Sequence, residues 1–498
     1  MTPDRPDMSL LPHWSDRANR LVWLILLGLT LARTMAVLVS PLGLGVDEAQ
    51  YWLWSETPAF GYFTKPPLTA WIIGAAHWLF GHHEAAVRLP ASWLHLATAV
   101  LLWRCGDWLY GAAAGRVTAL VWISLPATAL GSFLISTDTP LMLTIALALL
   151  ALAAAASQRL AAREAMLLAG IALGCGLLAK YAAAYALFGV MLIWAAGRHQ
   201  TKPLVTGKGL LLLIVACLLT ASPNLIWNLT HDFATVRHLG DNANVMLQAG
   251  GIASALEFLA SQAAVAGPVL FVLMLGVVPA SRTDDTAGWL AWIAMPALVF
   301  MTIQAGISEA NANWAMAAYP PLAIWLGGFL TATTTWWRRH LAQLGIGINM
   351  LASTVMIVIS AVGSLGPLTP QSDPLRRLRG WDQLARDLTP VLAAHAANRI
   401  IADRRAPAAL LHWHFHNQPV TVMLFDQDGI PRNHFEANHS WTSRPNARVL
   451  ALSAKPTPPS IGSIIWQSNP VKSDVRISHN RQRLYYIHRG VEPATTPD

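Results

Sequence analysis

Residues 21–40 read LVWLILLGLTLARTMAVLVS, a run whose only charge is Arg33. A helix rising ~1.5 Å per residue needs about 20 such positions to cross a hydrocarbon core roughly 30 Å thick. The run is long enough to span and lacks a convincing small-residue cleavage site, so it is expected to stay as a first membrane helix. Working outward, apolar stretches of similar character recur near 89–110, 116–135, 140–156, 165–179, 182–197, 209–226, 262–280, 288–305, 316–332 and 343–365. The pattern predicts an all-α polytopic membrane domain of about eleven transmembrane helices over residues 21–365, with 1–20 on the cytoplasmic side.

Composition agrees. Hydrophobic residues make up 54% of 498 positions and charged residues 12%, against about 25% charge in a soluble domain. The 22 Trp suit aromatic belts at membrane interfaces. A formal charge of +8 does not imply nucleic acid here, because surplus Lys and Arg in a membrane protein collect in cytoplasmic loops. The three cysteines, Cys105, Cys175 and Cys217, lie in apolar stretches with no metal-ligand spacing. With the first 20 residues inside, alternate connections carry Arg116, then Arg159 and Arg163, then Arg198, Lys202 and Lys208, then Arg282, then Arg338 and Arg339. The opposite connections hold only Lys65, Arg88, Lys180 and Arg237. This bias sets the orientation, and an odd number of spans places the tail outside.

Two outer segments are unusual, 41–88 and 227–260; the second is polar at first, with Asn228, Asn242 and Asn244. In the first, Leu68 to Phe80 is apolar but too short to span. Leu68, Trp71, Ile72, Ala75 and Leu79 recur at helical spacing, which predicts a helix lying in the interface. After Pro367 the composition changes: Pro370, Ser372, Asp373 and Pro374 read as a linker. A helix is expected over 381–397 and strands over 399–402, 420–425, 448–452 and 483–488. Residues 366–498 are thus expected to form a small α/β domain outside the bilayer.

The first outer loop opens Gly45-Val46-Asp47-Glu48-Ala49-Gln50-Tyr51-Trp52 and continues Gly61-Tyr62-Phe63-Thr64-Lys65-Pro66-Pro67. Adjacent carboxylates directly after a membrane helix are costly against lipid. A plain explanation is a helix start, with Asp47 capping and Glu48 favouring the dipole. Lys65 could likewise be an interfacial snorkelling lysine. Asp426-Gln427-Asp428 has an Asp-x-Asp form, but it precedes Gly429 and reads as a turn. His412, His414 and His416 alternate without evident metal partners and read as edge or surface residues.

Taken together, the loop resembles the first periplasmic loop of the bacterial GT-C glycosyltransferases of the PMT-type superfamily. That group includes protein mannosyltransferases, lipid A aminoarabinose transferases and lipopolysaccharide-core galacturonic acid transferases. The resemblance runs on through Arg88-Leu89-Pro90, Ser136-Thr137-Asp138-Thr139-Pro140 and Leu178-Ala179-Lys180-Tyr181. It continues through Ser222-Pro223-Asn224-Leu225-Ile226-Trp227-Asn228 with His231, then Asn311-Ala312-Asn313-Trp314 with Tyr319-Pro320. In the tail, 376–381 and Pro431-Arg432-Asn433-His434-Phe435-Glu436 resemble the galacturonic acid branch. Aminoarabinose transferases carry an Arg where this chain has Gln50 and often an acid where it has Thr64, which argues against aminoarabinose as the sugar.

The resemblance implies an inner-membrane enzyme that takes a sugar from a polyprenyl-phosphate donor and passes it to a glycolipid or protein acceptor on the periplasmic face. An alcohol is a poor nucleophile until a base takes its proton, and Asp47 is the candidate. A cation on the departing phosphate stabilises the transition state; Lys65 comes first, with Lys180 and Arg88 as helpers. Glu48, Asp138, Tyr181, Asn228, His231, Asn313 and Trp314 are expected to hold substrate. One base and in-line attack imply inversion at the anomeric carbon. No cofactor is called for, and a divalent cation is compatible but not indicated. The rival from another class, a secondary transporter, would need ionisable residues at mid-membrane, where Arg33 is among the few. A membrane scaffold would leave the Asp-Glu and Lys-Pro-Pro elements unexplained.

Overall fold

The computed structural model describes residues 11–196, 205–244, 251–364, 375–426, 428–462, 464–478 and 481–494. The linker expected around Pro370 to Pro374, and Arg198 and Lys202, lie outside the described residues, as do the side chains of Asn242 and Asn244. Two compact units emerge. One comprises 1–38, 65–72 and 88–358; the other comprises 39–64, 73–87 and 359–498.

The first unit is helical. Among the described residues, eight helices are long and apolar enough to cross a membrane: Arg17–Val39, Glu84–Tyr110, Asp138–Ala156, Ala162–Ala179, Gly207–Thr230, Asp285–Ile307, Ala312–Ala332 and Trp336–Val362. A bent pair, Gly251–Ala266 with Pro268–Ala280, makes a ninth if it counts as one span. Leu68–Phe80, Ala112–Ser124 and Ala183–Ala196 are apolar but shorter.

Two expected spans are broken, for chemical reasons. The stretch near 116–135 divides into Ala112–Ser124 and Pro126–Gly131, with Leu125 extended at φ −54°, ψ 133°. Pro126 has no N–H to give and disfavours helical backbone in the residue before it. The stretch near 262–280 bends by 111° at Gly267-Pro268. Gly267 has φ +83°, and a Cβ there would fall 1.9 Å from Oδ1 of Asn349, which donates from Nδ2 to the Ala266 carbonyl at 2.9 Å. Only glycine fits.

Small residues bring helices close where apolar burial alone gives no drive in lipid. A Cβ on Gly170 would lie 2.4 Å from the Leu213 carbonyl oxygen, and one on Gly174 would lie 2.5 Å from Cβ of Thr220. Helix Ala162–Ala179 is thereby seated on Gly207–Thr230. The deep charge Arg33 is bonded to protein through its two terminal nitrogens, which donate to the Ile123 carbonyl at 2.9 Å, Oγ of Ser353 at 2.8 Å and Oγ of Ser132 at 3.3 Å.

The second unit holds helix Val46–Glu56 together with the tail. Its sheet contains β1 (Arg399–Ala402), β2 (Thr421–Leu424), β3 (Arg448–Ser453), β4 (Ile465–Trp466), β5 (Val471–Ser478) and β6 (Arg481–Val491). The order is β2-β1-β3-β6-β4, with β5 also paired to β6. β1 runs parallel to β2 and β3, and β6 runs antiparallel to β3 and β5. Helix Trp381–His395 is where the periodicity placed it. Helix Arg405–His414, which crosses from β1 to β2, was not anticipated.

On helix Leu68–Phe80, Thr69, Ala70, Ile73 and Ala76 are buried, while Ala75, Trp78, Leu79 and Phe80 are exposed. The apolar stripe read from the sequence is therefore not the buried stripe. The residues turned inward are the small Thr69, Ala70 and Ala76 together with Ile73, and the exposed ones include the large Trp78, Leu79 and Phe80.

Candidate active site

In the first unit, three sequence-distant candidates meet. Asp138 begins helix Asp138–Ala156 and is 8% exposed. Its Oδ1 accepts from Nζ of Lys180 at 2.7 Å and its Oδ2 accepts from Nδ2 of Asn313 at 2.8 Å. Lys180 is the C-cap of helix Ala162–Ala179, extended at φ −161°, so its side chain leaves the helix axis. Asn313 lies on the 3-10 turn Ala312–Ala318. That turn is braced from behind: Gln262 donates to the Ala312 carbonyl at 3.2 Å and accepts from the Tyr319 hydroxyl at 2.7 Å. The buried Tyr319 of the Tyr-Pro element thus acts as a strut for the turn.

A second cluster adjoins Lys180 in sequence. The Tyr181 hydroxyl donates to Oδ1 of Asn224 at 2.7 Å and accepts from Nδ2 of Asn228 at 3.1 Å. Asn224 and Asn228 share one face of helix Gly207–Thr230, one turn apart. The close seating at Gly170 and Gly174 brings Tyr181 onto that face. Among the described residues Oδ1 of Asn228 is buried without a hydrogen-bond partner, so this cluster retains acceptor capacity.

The other candidates of this unit are Arg88, Lys65, His231 and Trp314. Arg88 is 1% exposed with its guanidinium 4.7 Å from the Phe133 ring centroid. Lys65 is half-buried and the two prolines after it are buried. His231 is exposed; its ring stacks on Trp227 at 4.2 Å and its Nδ1 lies 2.8 Å from the Trp227 carbonyl oxygen. Trp314 is half-buried.

In the second unit, the two adjacent carboxylates part company. Gly45, not Asp47, is the N-cap of helix Val46–Glu56, and the Gly45 N–H donates to Oε2 of Glu48 at 2.8 Å. The plain helix-start explanation therefore belongs to Glu48, which is 3% exposed. It does not account for Asp47, whose side chain is 64% exposed. Asp47 instead pairs with Arg405, the first residue of helix Arg405–His414. Nε of Arg405 also donates to Oε1 of Gln50 at 2.6 Å, and Nε2 of Gln50 donates to Oγ1 of Thr64 at 3.3 Å. Arg405 was missed by sequence reasoning, and no local signal marks it.

Of the three alternating histidines, His416 is exposed and His412 and His414 are half-buried, while His434 is buried. His412 lies 5.6 Å from Phe435 and 4.6 Å from His439, ring to ring. Burial, then the neighbouring His439 and His434, pushes its pKa down to about 3. His434 is likewise pushed down to about 3, by burial first and then by His439 and Arg405. Asp426 accepts from the N–H groups of Asp428 and Gly429, which is turn geometry.

The architecture is that of the GT-C membrane glycosyltransferases. ArnT from Cupriavidus metallidurans, solved bound to undecaprenyl phosphate, superposes with a TM-score of 0.67 at 13% identity, covering 97% of this chain and 100% of that one. The oligosaccharyltransferase of Archaeoglobus fulgidus, tethered to an acceptor peptide, gives 0.50 at 13% identity over 82% of this chain and 64% of that one. The family model for dolichyl-phosphate-mannose-protein mannosyltransferases matches residues 64–227. In sequence, the chain is 31% identical over 440 residues to the lipid A galacturonosyltransferase RgtD of Rhizobium johnstonii, covering 86% of this chain and 90% of that protein. The chain belongs to this family of GT-C glycosyltransferases, and it is a multi-pass membrane protein.

Proposed function

We propose that the chain moves a uronic acid sugar from a polyprenyl-phosphate donor to lipid A or a closely similar glycolipid, on the periplasmic face of the inner membrane. The observation that carries this furthest is the likeness to a lipid A galacturonosyltransferase along nine-tenths of that protein's length. The donor class is drawn from the same likeness and from a fold-mate solved with undecaprenyl phosphate.

Asp47, exposed at the start of its helix, takes the proton of the acceptor hydroxyl. The freed oxygen attacks the anomeric carbon as the bond from that carbon to the phosphate oxygen breaks, with inversion. The prenyl phosphate leaves with its second negative charge, and Lys65, assisted by Lys180 and Arg88, stabilises it. Asp138 and Asn313 fix Lys180, while Tyr181 and Asn228 offer hydroxyl and amide groups to sugar or acceptor; His231 and Trp314 contribute contacts at the edge. Glu48 supports Asp47 by capping its helix.

The test uses purified full-length chain with prenyl-phosphate galacturonic acid and lipid A. Mass spectrometry should show lipid A heavier by one uronosyl residue, together with release of prenyl phosphate. Sugar accumulation in reconstituted vesicles with no modified lipid would instead favour a transporter.

A further inference from the structure

The pair formed by Arg405 and Asp47 has a property that a structural ion pair does not need. Both groups are open to solvent, Arg405 at 39% and Asp47 at 64% of the side chain. Exposed pairs hold only weakly, because water screens the charges. The guanidinium is nevertheless held in place by a second contact, from Nε to Oε1 of Gln50 at 2.6 Å. Gln50 is fully buried and is itself fixed by Thr64. Two of the five guanidinium N–H groups are engaged among the described residues. What remains is a fork of donors of the shape that carboxylates and phosphates take up bidentately. The cation is anchored from one side and only loosely bound to its counterion on the other.

We infer that Arg405 is an oxyanion-binding residue that exchanges Asp47 for an anionic group of the substrate. In the free protein the guanidinium occupies the Asp47 carboxylate. When a phosphate or carboxylate of the substrate takes the fork, Asp47 is released and its carboxylate is free to receive the acceptor proton. No bond is made or broken in this step; one ion pair replaces another. The activation half of the inference rests on Asp47 being the base, whereas the anion-binding half does not. The donor's phosphodiester is assigned to Lys65, which leaves two sources of the same chemistry for Arg405: the phosphates of lipid A, or the carboxylate of a uronic acid donor.

The experiment pairs charged and neutral substrates on the full-length enzyme: lipid A against its dephosphorylated form, and prenyl-phosphate galacturonic acid against prenyl-phosphate galactose. Arg405→Ala should raise KM about tenfold or more for the charged member of one pair and leave the neutral member within about twofold. The pair that responds identifies the source. Arg405→Lys should fall between, since it keeps a charge but loses the fork. Equal losses for charged and neutral members, or no change in either, would overturn the inference. Binding gives a readout independent of catalysis. Asp47→Asn removes the competing carboxylate and should bind the responding charged substrate severalfold more tightly than wild type. An Asp47→Asn enzyme that stays active would sink the base assignment while leaving that affinity gain intact; weaker or unchanged binding would sink the anion site.

Discussion

Asp47 and Glu48 are adjacent carboxylates with opposite surroundings, and the difference follows from backbone chemistry. A helix start leaves N–H groups without acceptors, and a Gly N-cap brings no side chain to help. Glu48, three residues after Gly45, is the one that can reach back. Asp47, two residues after Gly45, is left outward and available. Asp47→Asn should therefore lower turnover by about 10²–10⁴-fold with little change in folding, measured as initial rates beside a thermal melt; retention of more than about a tenth of the rate would end the base assignment. Glu48→Ala should do the reverse, costing about 0.5–2 kcal/mol of stability, read from the melting curve. The two adjacent carboxylates could be singled out in the sequence by their place after a membrane run. Which one caps depends on where the helix begins, which a residue pattern gives only within a few positions. Arg405 was illegible for a different reason: it lies 358 positions from Asp47 along the chain, and nothing local distinguishes it from neighbouring Arg404.

At the scale of elements, most membrane helices were readable because lipid demands long apolar runs. Their breaks were readable only in part: Pro126 and Pro268 were visible, but the direction of a bend depends on partners such as Asn349. In the tail, β5 and the helix from Arg405 were missed although signals existed. Ser473, Val475 and Ile477 are buried in alternation with charged Lys472, Asp474 and Arg476, the period-2 pattern of a half-buried strand. Pro407 in a first turn is a helix-start signal. Two predictions belong here. Gly170→Leu places side-chain atoms where the Leu213 carbonyl already sits, so helix Ala162–Ala179 must move. Overpacking of this kind costs about 1–3 kcal/mol. Because that helix leads into Lys180 and Tyr181, activity should fall with the melting temperature, whereas Gly28→Leu, at a position where an added Cβ meets nothing within 4 Å, should leave both unchanged. The second concerns pH. His412 and His434 stay neutral in the folded tail down to about pH 3, while in an unfolded chain they protonate near pH 6.5. The unfolded state then binds more protons, so stability falls as pH drops from about 6.5 toward 3. Hydrogen exchange of 405–440 should quicken between pH 7 and pH 5 beyond the intrinsic chemistry, and His434→Phe should flatten that trend.

For the whole molecule, the placement of the candidates along the chain makes a topological argument that no single residue makes. Suppose Ala112–Ser124 with Pro126–Gly131 counts as one crossing, the bent pair as another, and Ala183–Ala196 as a third. There are then eleven crossings, and the connections alternate strictly. Asp47 and Lys65 follow the first crossing, Asp138 follows the third, Lys180 and Tyr181 the fifth, His231 the seventh and Asn313 the ninth. Every candidate falls on odd-numbered connections or at a helix end beside one, while Arg116, Arg159, Arg163, Lys208, Arg282, Arg338 and Arg339 fall on or beside even-numbered ones. Lys and Arg are retained on the cytoplasmic side, so the candidates and the tail are proposed to face the periplasm, where a polyprenyl-phosphate donor would present its sugar. The weak points of the count are the short helices and the 111° bend: if one of them re-enters instead of crossing, every later connection changes side. Cysteine labelling tests this without assuming any function. In a background with Cys105, Cys175 and Cys217 replaced by Ala, Ser157→Cys after the fourth crossing should stay unlabelled by an impermeant maleimide in spheroplasts, and Ser460→Cys in the tail should label. Labelling of both would mean that parity is lost between residues 157 and 460, which points to the bend at Gly267-Pro268 or to Ala183–Ala196. Labelling at Ser157 alone would mean either that the whole assignment is inverted or that Ala112–Ser124 with Pro126–Gly131 re-enters, and in both cases Asp138, Lys180, Tyr181, His231 and Asn313 leave the side where the donor is proposed to be.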